Sequence, residues 1–193
     1  MFHRFCKYFI QLIFSPANGW EDFQRDWDEH SDWDGHTFSG VYRRCFLPIA
    51  LVCALSAFFR LIYGVPGGWL EALQHAIITF VSLFLSSQFA NYVLLTYMPR
   101  FLHTDHPAEY APRWGMLVIV SLTLLGLIGV LENLVKVHVA LFAFLPLYCV
   151  FIIWKGARFC GVSEQEVGMY MLLTILSIPG SYYLINFLLN ALV

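Results

Sequence analysis

Five long stretches of the chain are almost free of charge, and no other property limits its fold so strongly. They run over Cys45–Tyr63, Trp69–Met98, Trp114–Leu131, Val137–Trp154 and Gly168–Val193, each at least 18 residues long. A helix rising about 1.5 Å per residue needs roughly 20 residues to cross a hydrocarbon layer about 30 Å thick. The two shortest stretches can reach with flanking residues and slight local thinning. Backbone groups in hydrocarbon must pair within their own segment, so these stretches are expected to be helices. The period-two alternation of a transmembrane β-barrel is absent. Charged residues make up 12% of the 193, about half the share found in soluble domains.

The connections are short: 65–68, 99–113, 132–136 and 155–167. No linker, low-complexity tract or internal repeat interrupts the pattern. The expected fold class is therefore all-α, a polytopic membrane helix bundle with five transmembrane helices plus an N-terminal interfacial amphipathic helix. Residues 1–44 form a cytoplasmic or interfacial segment and residues 45–193 a single transmembrane domain. Orientation follows from lysine and arginine, which concentrate on the cytoplasmic side. Arg4, Lys7, Arg25, Arg43, Arg44, Arg100, Arg113, Lys155 and Arg158 fall on one side, against Arg60 and Lys136 on the other. This split puts the N-terminus in the cytoplasm and the C-terminus outside, as an odd number of spans requires.

Within the first 44 residues two segments stand out. From Phe2 to Phe14 the polar residues His3, Arg4, Lys7 and Gln11 share one arc, with Phe2, Phe5, Phe9, Leu12 and Ile13 around the rest. A short basic amphipathic helix in the membrane interface fits this pattern. A helix packed on the rest of the protein fits it equally, and a cleaved leader ending near Ser15–Ala17 fits it poorly because of Gln11 and Pro16. After a break at Pro16, Asn18 and Gly19, a second short helix capped by Asn18 or Gly19 is expected. It opens an acidic run, Glu21, Asp22, Asp26, Asp28, Glu29, Asp32 and Asp34, which holds over half of the chain's acids. The run is a solvated face beside the membrane or a partner surface; it lacks the glycine and terminal glutamate of a calcium loop.

Polar residues inside a membrane mark the place to look for function. In the second stretch His75, Thr79, Ser82 and Ser86 recur at helical spacing, and Gln88 and Asn91 extend the polarity. They are read either as the lining of a solute or proton path or as interhelical hydrogen-bonding groups. Glu71 lies one turn before His75. Glu132 and Lys136 have the spacing of a helical ion pair. Asn186 and Asn190 share a face and are expected to bond a neighbouring helix. Gly126, Gly129, Ala50 and Ala54 offer small surfaces for close helix contact, and Pro146 and Pro179 are expected to kink their helices.

Catalytic and metal signatures are missing. There is no GxSxG, P-loop, HExxH or intramembrane aspartate pair. The five cysteines match no zinc or redox spacing. The loop sequence His103-Thr104-Asp105-His106 is too short of ligands to make a metal site. No catalytic, metal-binding or cofactor-binding residue is assigned, no cofactor is expected, and the net charge of −2 gives no reason to expect a nucleic-acid partner. The expected partners are the lipid bilayer and another membrane or cytoplasmic protein, including a second copy of the chain.

Several short motifs resemble the Yip (Ypt-interacting protein) family in its short bacterial form. Leu12-Ile13-Phe14-Ser15-Pro16 followed by Gly19-Trp20-Glu21 looks like the family's opening. Phe144-Leu145-Pro146-Leu147-Tyr148 through Ile153-Trp154-Lys155-Gly156 is similar to its fourth span and the turn after it. Gly161-Val162-Ser163 with Gly168-Met169-Tyr170 resembles the approach to its last span. The resemblance implies a five-span domain in a bacterial cytoplasmic membrane, without catalytic residues, that organises membrane or partner proteins. Eukaryotic members associate with small GTPases in trafficking; their long cytosolic N-terminal region is absent here. The competing expectation is a small-solute or ion transporter that uses the polar stripe from His75 to Asn91.

Overall fold

A computed structural model describes residues 2–29, 38–63, 68–101, 107–135 and 144–192, and every regular element among them is helical. In chain order these are α1 (Phe2–Phe14), α2 (Pro16–Glu29), α3 (Phe38–Val41), α4 (Leu47–Leu55), α5 (Gly68–Phe101), α6 (Pro107–Leu134), α7 (Leu145–Lys155), α8 (Val167–Ile175) and α9 (Ser181–Ala191). A π-helical turn, Tyr42–Phe46, joins α3 to α4, and a 3₁₀ segment, Ser56–Tyr63, continues α4. A second π turn, Leu176–Gly180, joins α8 to α9. Four continuous helical runs are long and apolar enough to cross a membrane: Phe38–Ile62, Gly68–Phe101, Glu109–Leu134 and Val167–Ala191. The fourth apolar stretch appears only as α7, which has 11 residues. Residues 137–143 of that stretch lie outside the described residues, as do Asp32, Asp34, His103–His106 and Lys136.

α6 is the axis of the bundle. Every residue from Arg113 to Gly126 is buried, and 78% of its apolar window is covered, against 28–39% for the other three runs. Those runs keep one apolar side outward, for example Leu51, Val52 and Leu55, or Leu184, Phe187 and Leu188. Such surfaces would drive aggregation in water, whereas lipid tails are a good solvent for them. α5 extends beyond the expected Trp69–Met98 at both ends. Its 34 residues measure about 51 Å, so it must tilt in, or project from, a layer about 30 Å thick.

α1 and α2 form a tight hairpin over one end of the bundle. Ser15 is the whole junction: its N–H donates to the Gln11 carbonyl, and its own carbonyl accepts from Gly19, both at 2.8 Å. Gly19 is therefore not a break. A Cβ there would lie 3.0 Å from the Leu12 backbone, so only glycine lets the two helices approach this closely. α2 begins at Pro16, ahead of the caps expected at Asn18 or Gly19, because proline suits a first helical turn, where its missing N–H removes no bond. Phe5, Tyr8, Phe9 and Leu12 of α1 are buried, while His3, Arg4 and Lys7 face outward beside exposed Phe2, Ile10 and Phe14. Of the two helix readings of this segment, packing on the protein is thus realised.

Aromatic side chains fasten this cap. Trp20, Phe23 and Trp27, on one face of α2, all meet Phe159 in the turn after α7, with ring centroids 4.9, 5.2 and 6.1 Å away. Trp20 Nε1 donates at 3.0 Å to the Ile152 carbonyl, which also accepts from the Gly156 N–H at the end of α7. Trp114 Nε1 donates to the Cys160 carbonyl at 3.2 Å, and the Tyr148 hydroxyl to the Ile13 carbonyl at 2.5 Å. Arg113 lies against the rings of Tyr110 and Phe159, donates to the Phe159 carbonyl at 3.3 Å and pairs with Asp28 at 2.9 Å.

Two outcomes test this arrangement. Gly161 holds φ +73°, and a Cβ there would sit 2.3 Å from the Tyr110 ring. A left-handed alanine alone costs roughly 1–2 kcal/mol. Gly161→Ala should therefore lower the thermal unfolding midpoint in detergent, and an unchanged midpoint would contradict the turn geometry. Burial pushes the Cys160 thiol up to about 12, against the opposing pull of its hydrogen bond from Tyr170 and of the Arg113 charge. At pH 8 only about one molecule in ten thousand then carries the reactive thiolate. Maleimide should spare Cys160 in the native protein and modify it after unfolding, as read by mass spectrometry.

Candidate functional site: a polar cleft opposite the cap

At the far end of the bundle from the α1–α2 hairpin, four helical segments converge on a cleft of about 270 Å³. Arg60 reaches it from the 3₁₀ segment, and His75 and Thr79 from α5. Glu132 and Asn133 come from the last turn of α6, and Tyr182, Tyr183, Asn186 and Asn190 from α9. Ile78, Leu125 and Ile128 line its apolar part. Thr79 is 11 residues from the start of α5 and Leu125 nine from the end of α6. The cleft therefore reaches about 14–16 Å inward from those helix ends.

Local sequence explains each wall. His75, Thr79 and Ser82 share a face of α5 at helical spacing. On α9, Tyr182, Asn186 and Asn190 recur every four residues and so share one side. The π turn before α9 carries an extra residue that rephases the face. Pro179 has no N–H for the Ile175 carbonyl, and at Gly180 a Cβ would lie 3.1 Å from that oxygen. Nearby hydroxyls bond the loosened backbone: Ser181 Oγ donates to Ser177 at 2.5 Å and to Ile178 at 3.1 Å. Pro179 thus produces a bulge. Pro146 sits in the first turn of α7, where it need not disturb the helix.

Amide groups hold the walls in register. Asn186 Nδ2 donates to Ser82 Oγ at 3.4 Å, a long bond that links α9 to α5. Asn190 Nδ2 donates to the carbonyl and the side-chain oxygen of Asn186, at 2.8 and 2.9 Å. Of the two asparagines, then, only Asn186 bonds a neighbouring helix. Asn133 Nδ2 donates to Ser56 Oγ at 2.9 Å, and Ser56 Oγ donates in turn to the Cys53 carbonyl at 2.6 Å. His75 Nε2 lies 3.7 Å from Glu71 at the mouth. Beyond the cleft, the hydroxyls of Ser86, Ser121 and Thr123 are buried without a hydrogen-bond partner among the described residues.

The polar stripe of the second apolar stretch therefore divides. His75 and Thr79 line the cleft, Ser82 lies fully buried behind it, and Ser86 is buried deeper. Gln88 is exposed on another face. Asn91 lies near the capped end, where its side-chain oxygen is buried without a partner among the described residues. The acidic run divides as well. Asp22 accepts from Gln11 and pairs with Arg25 at 2.5 Å, and Asp28 holds Arg113. Asp26 bonds Tyr8, whose hydroxyl is held above its ordinary range by burial and by that carboxylate. Glu21 and Glu29 are exposed. Gly126 does pack closely, beside Cys53, but Gly129 has nothing within 4 Å of its would-be Cβ and opens onto the cleft instead.

Sequence reasoning placed Arg60 only as an outer-side charge and passed over Tyr182 and Tyr183. A lone arginine in an apolar stretch, and the Tyr182-Asn186-Asn190 spacing, were the signals available. Fold and cleft together define an all-helical, multi-pass membrane protein. Comparisons with protein-family models, with curated proteins and with solved structures find no match to the chain.

Single cysteines test the cleft. Thr79→Cys and Asn190→Cys should react with a membrane-impermeant thiol reagent, whereas Ser86→Cys should not. Equal reactivity at all three positions, read by mass shift, would contradict a cleft that ends above Ser86.

Proposed function

We propose that this is a five-span membrane protein that takes up a small polar solute in the cleft as one step of its passage across the bilayer, with no chemistry performed on it. The observation carrying this reading is the convergence of polar side chains from four helical segments on one cleft that reaches inward as far as Thr79. Polar side chains within a membrane are expensive unless they serve a path or a ligand. The changes to 3₁₀ geometry at Ser56–Tyr63 and to π geometry at Leu176–Gly180 support it, since such departures within helices recur at functional sites. On this reading the fourth apolar stretch, of which α7 is the described part, supplies the fifth span. The nine-to-two split of basic residues places the capped end in the cytoplasm and the cleft outside. The basic outer side of α1, with Phe2, Ile10 and Phe14, rests in the cytoplasmic membrane interface.

The partner-organising role implied by the Yip-like motifs rests on those motifs and on the acidic run. Asp22, Asp26 and Asp28 are engaged within the chain, which leaves that surface smaller than its sequence promised. The geometry favours the solute reading. Purified protein in proteoliposomes should give protein-dependent uptake from a panel of small polar solutes. His75→Ala and Ser86→Val should each lower it at least tenfold. No uptake across the panel, or uptake indifferent to both changes, would remove this proposal.

A further inference from the structure

The two full charges in the cleft have opposite signs, and neither Arg60 nor Glu132 forms an ion pair with another side chain among the described residues. They come from different helical segments: Arg60 and His75 enter the cleft from the 3₁₀ segment and α5, and Glu132, Tyr182 and Tyr183 from α6 and α9. The two tyrosine rings meet edge to face, with centroids 5.4 Å apart. A carboxylate beside aromatic rings is a site for an ammonium group, because ring faces attract cations. A guanidinium suits a carboxylate or phosphate, which it can bind in two-pronged fashion.

We infer that the cleft binds a small zwitterion, its oxyanion on Arg60 and its ammonium on Glu132, with the exposed ring of Tyr183 beside it. A ligand of one charge would engage only one of the two wall charges, whereas a zwitterion engages both. The volume of about 270 Å³ is just under the range usual for drug-sized ligands and suits a molecule of amino-acid size. The amides of Asn133, Asn186 and Asn190 supply neutral donors and acceptors between the two poles. The same chemistry occurs in a free solute and in a zwitterionic lipid headgroup. The inference rests on the cleft being a solute site, but it does not need the solute to cross the membrane.

The test is equilibrium binding to the full chain in phosphatidylglycerol nanodiscs, using glycine, γ-aminobutyrate, glycine betaine and phosphoethanolamine as probes. At least one should bind saturably. Arg60→Gln and Glu132→Gln should each weaken that binding at least tenfold, whereas Arg60→Lys, which keeps the charge but not the two-pronged geometry, should weaken it less than Arg60→Gln does. Thermal unfolding of each variant identifies any loss due to misfolding, and for a misfolded variant Tyr183→Ala serves as the second probe of the ammonium side, with the same tenfold loss expected. No saturable binding of any probe overturns the inference. So does binding that depends on only one of the two charges, which would mark a simple anion or cation site. Repeating the measurement in phosphatidylethanolamine nanodiscs separates the sources: retained binding assigns a free solute, and lost binding assigns the lipid headgroup. Zwitterion binding without uptake would remove the transport reading and leave this one. Uptake of another solute without zwitterion binding would do the reverse.

Discussion

Burial of α6 is the constraint on which the rest of the molecule depends. A helix enclosed on all sides for 14 consecutive residues needs neighbours around its whole circumference, and the other three apolar runs plus α7 supply them. In lipid no hydrophobic force draws helices together, so the contacts must be made by close packing and by hydrogen bonds between helices. The packing is visible where Gly126 meets Cys53 and where Gly115 meets Phe38. The bonds lie off the axis, at Asn133–Ser56 and Asn186–Ser82. They tie the surrounding helices to α6 and to one another at the end where packing gives way to the cleft.

The two ends of the bundle are finished differently. At the capped end, aromatic rings and indole N–H groups cover backbone carbonyls of α7 and the following turn. Phe159, Trp20 and Trp114 are buried there. At the other end α6 stops, α9 is rephased by its bulge, and the gap is lined by polar side chains, with glycine at 129 adding room. The bundle is therefore sealed on one side and open on the other, the asymmetry expected of a site reached from a single compartment.

Much of this was legible in the sequence and some was not, for physical reasons. Hydropathy over a window of membrane thickness located the four long helical runs because the bilayer imposes one length on all of them. Their ends were misplaced where packing, not lipid, decides: Phe38 and Tyr42 stack at 5.2 Å and draw the first run seven residues ahead of Cys45. The helical period correctly grouped His75, Thr79, Ser82 and Ser86. It could not say which α6 and α9 residues stand opposite, because that is set by helix rotation, and the π turn at Leu176–Gly180 shifts the rotation by a residue. The acidic run looked like one surface because residues close in sequence share a sign. In the fold Asp22, Asp26 and Asp28 each answer to a different neighbour, and the arginine that holds Asp28 lies 85 residues away.

The two arginines of the bundle ends show how the same side chain separates architecture from function. Arg113 is buried, and its guanidinium is met by a carboxylate, a carbonyl and two aromatic faces. Desolvating a charge is expensive, and removing one partner of such a set leaves the other stranded, so this grouping locks the cap in place. Arg60 is half-buried in the cleft wall and has no carboxylate of its own among the described residues. Glu132 lines the same cleft, is exposed, and forms no ion pair with Arg60 among the described residues. Both charges are therefore left available at one cleft, and a ligand carrying both charges is what such a pair can bind.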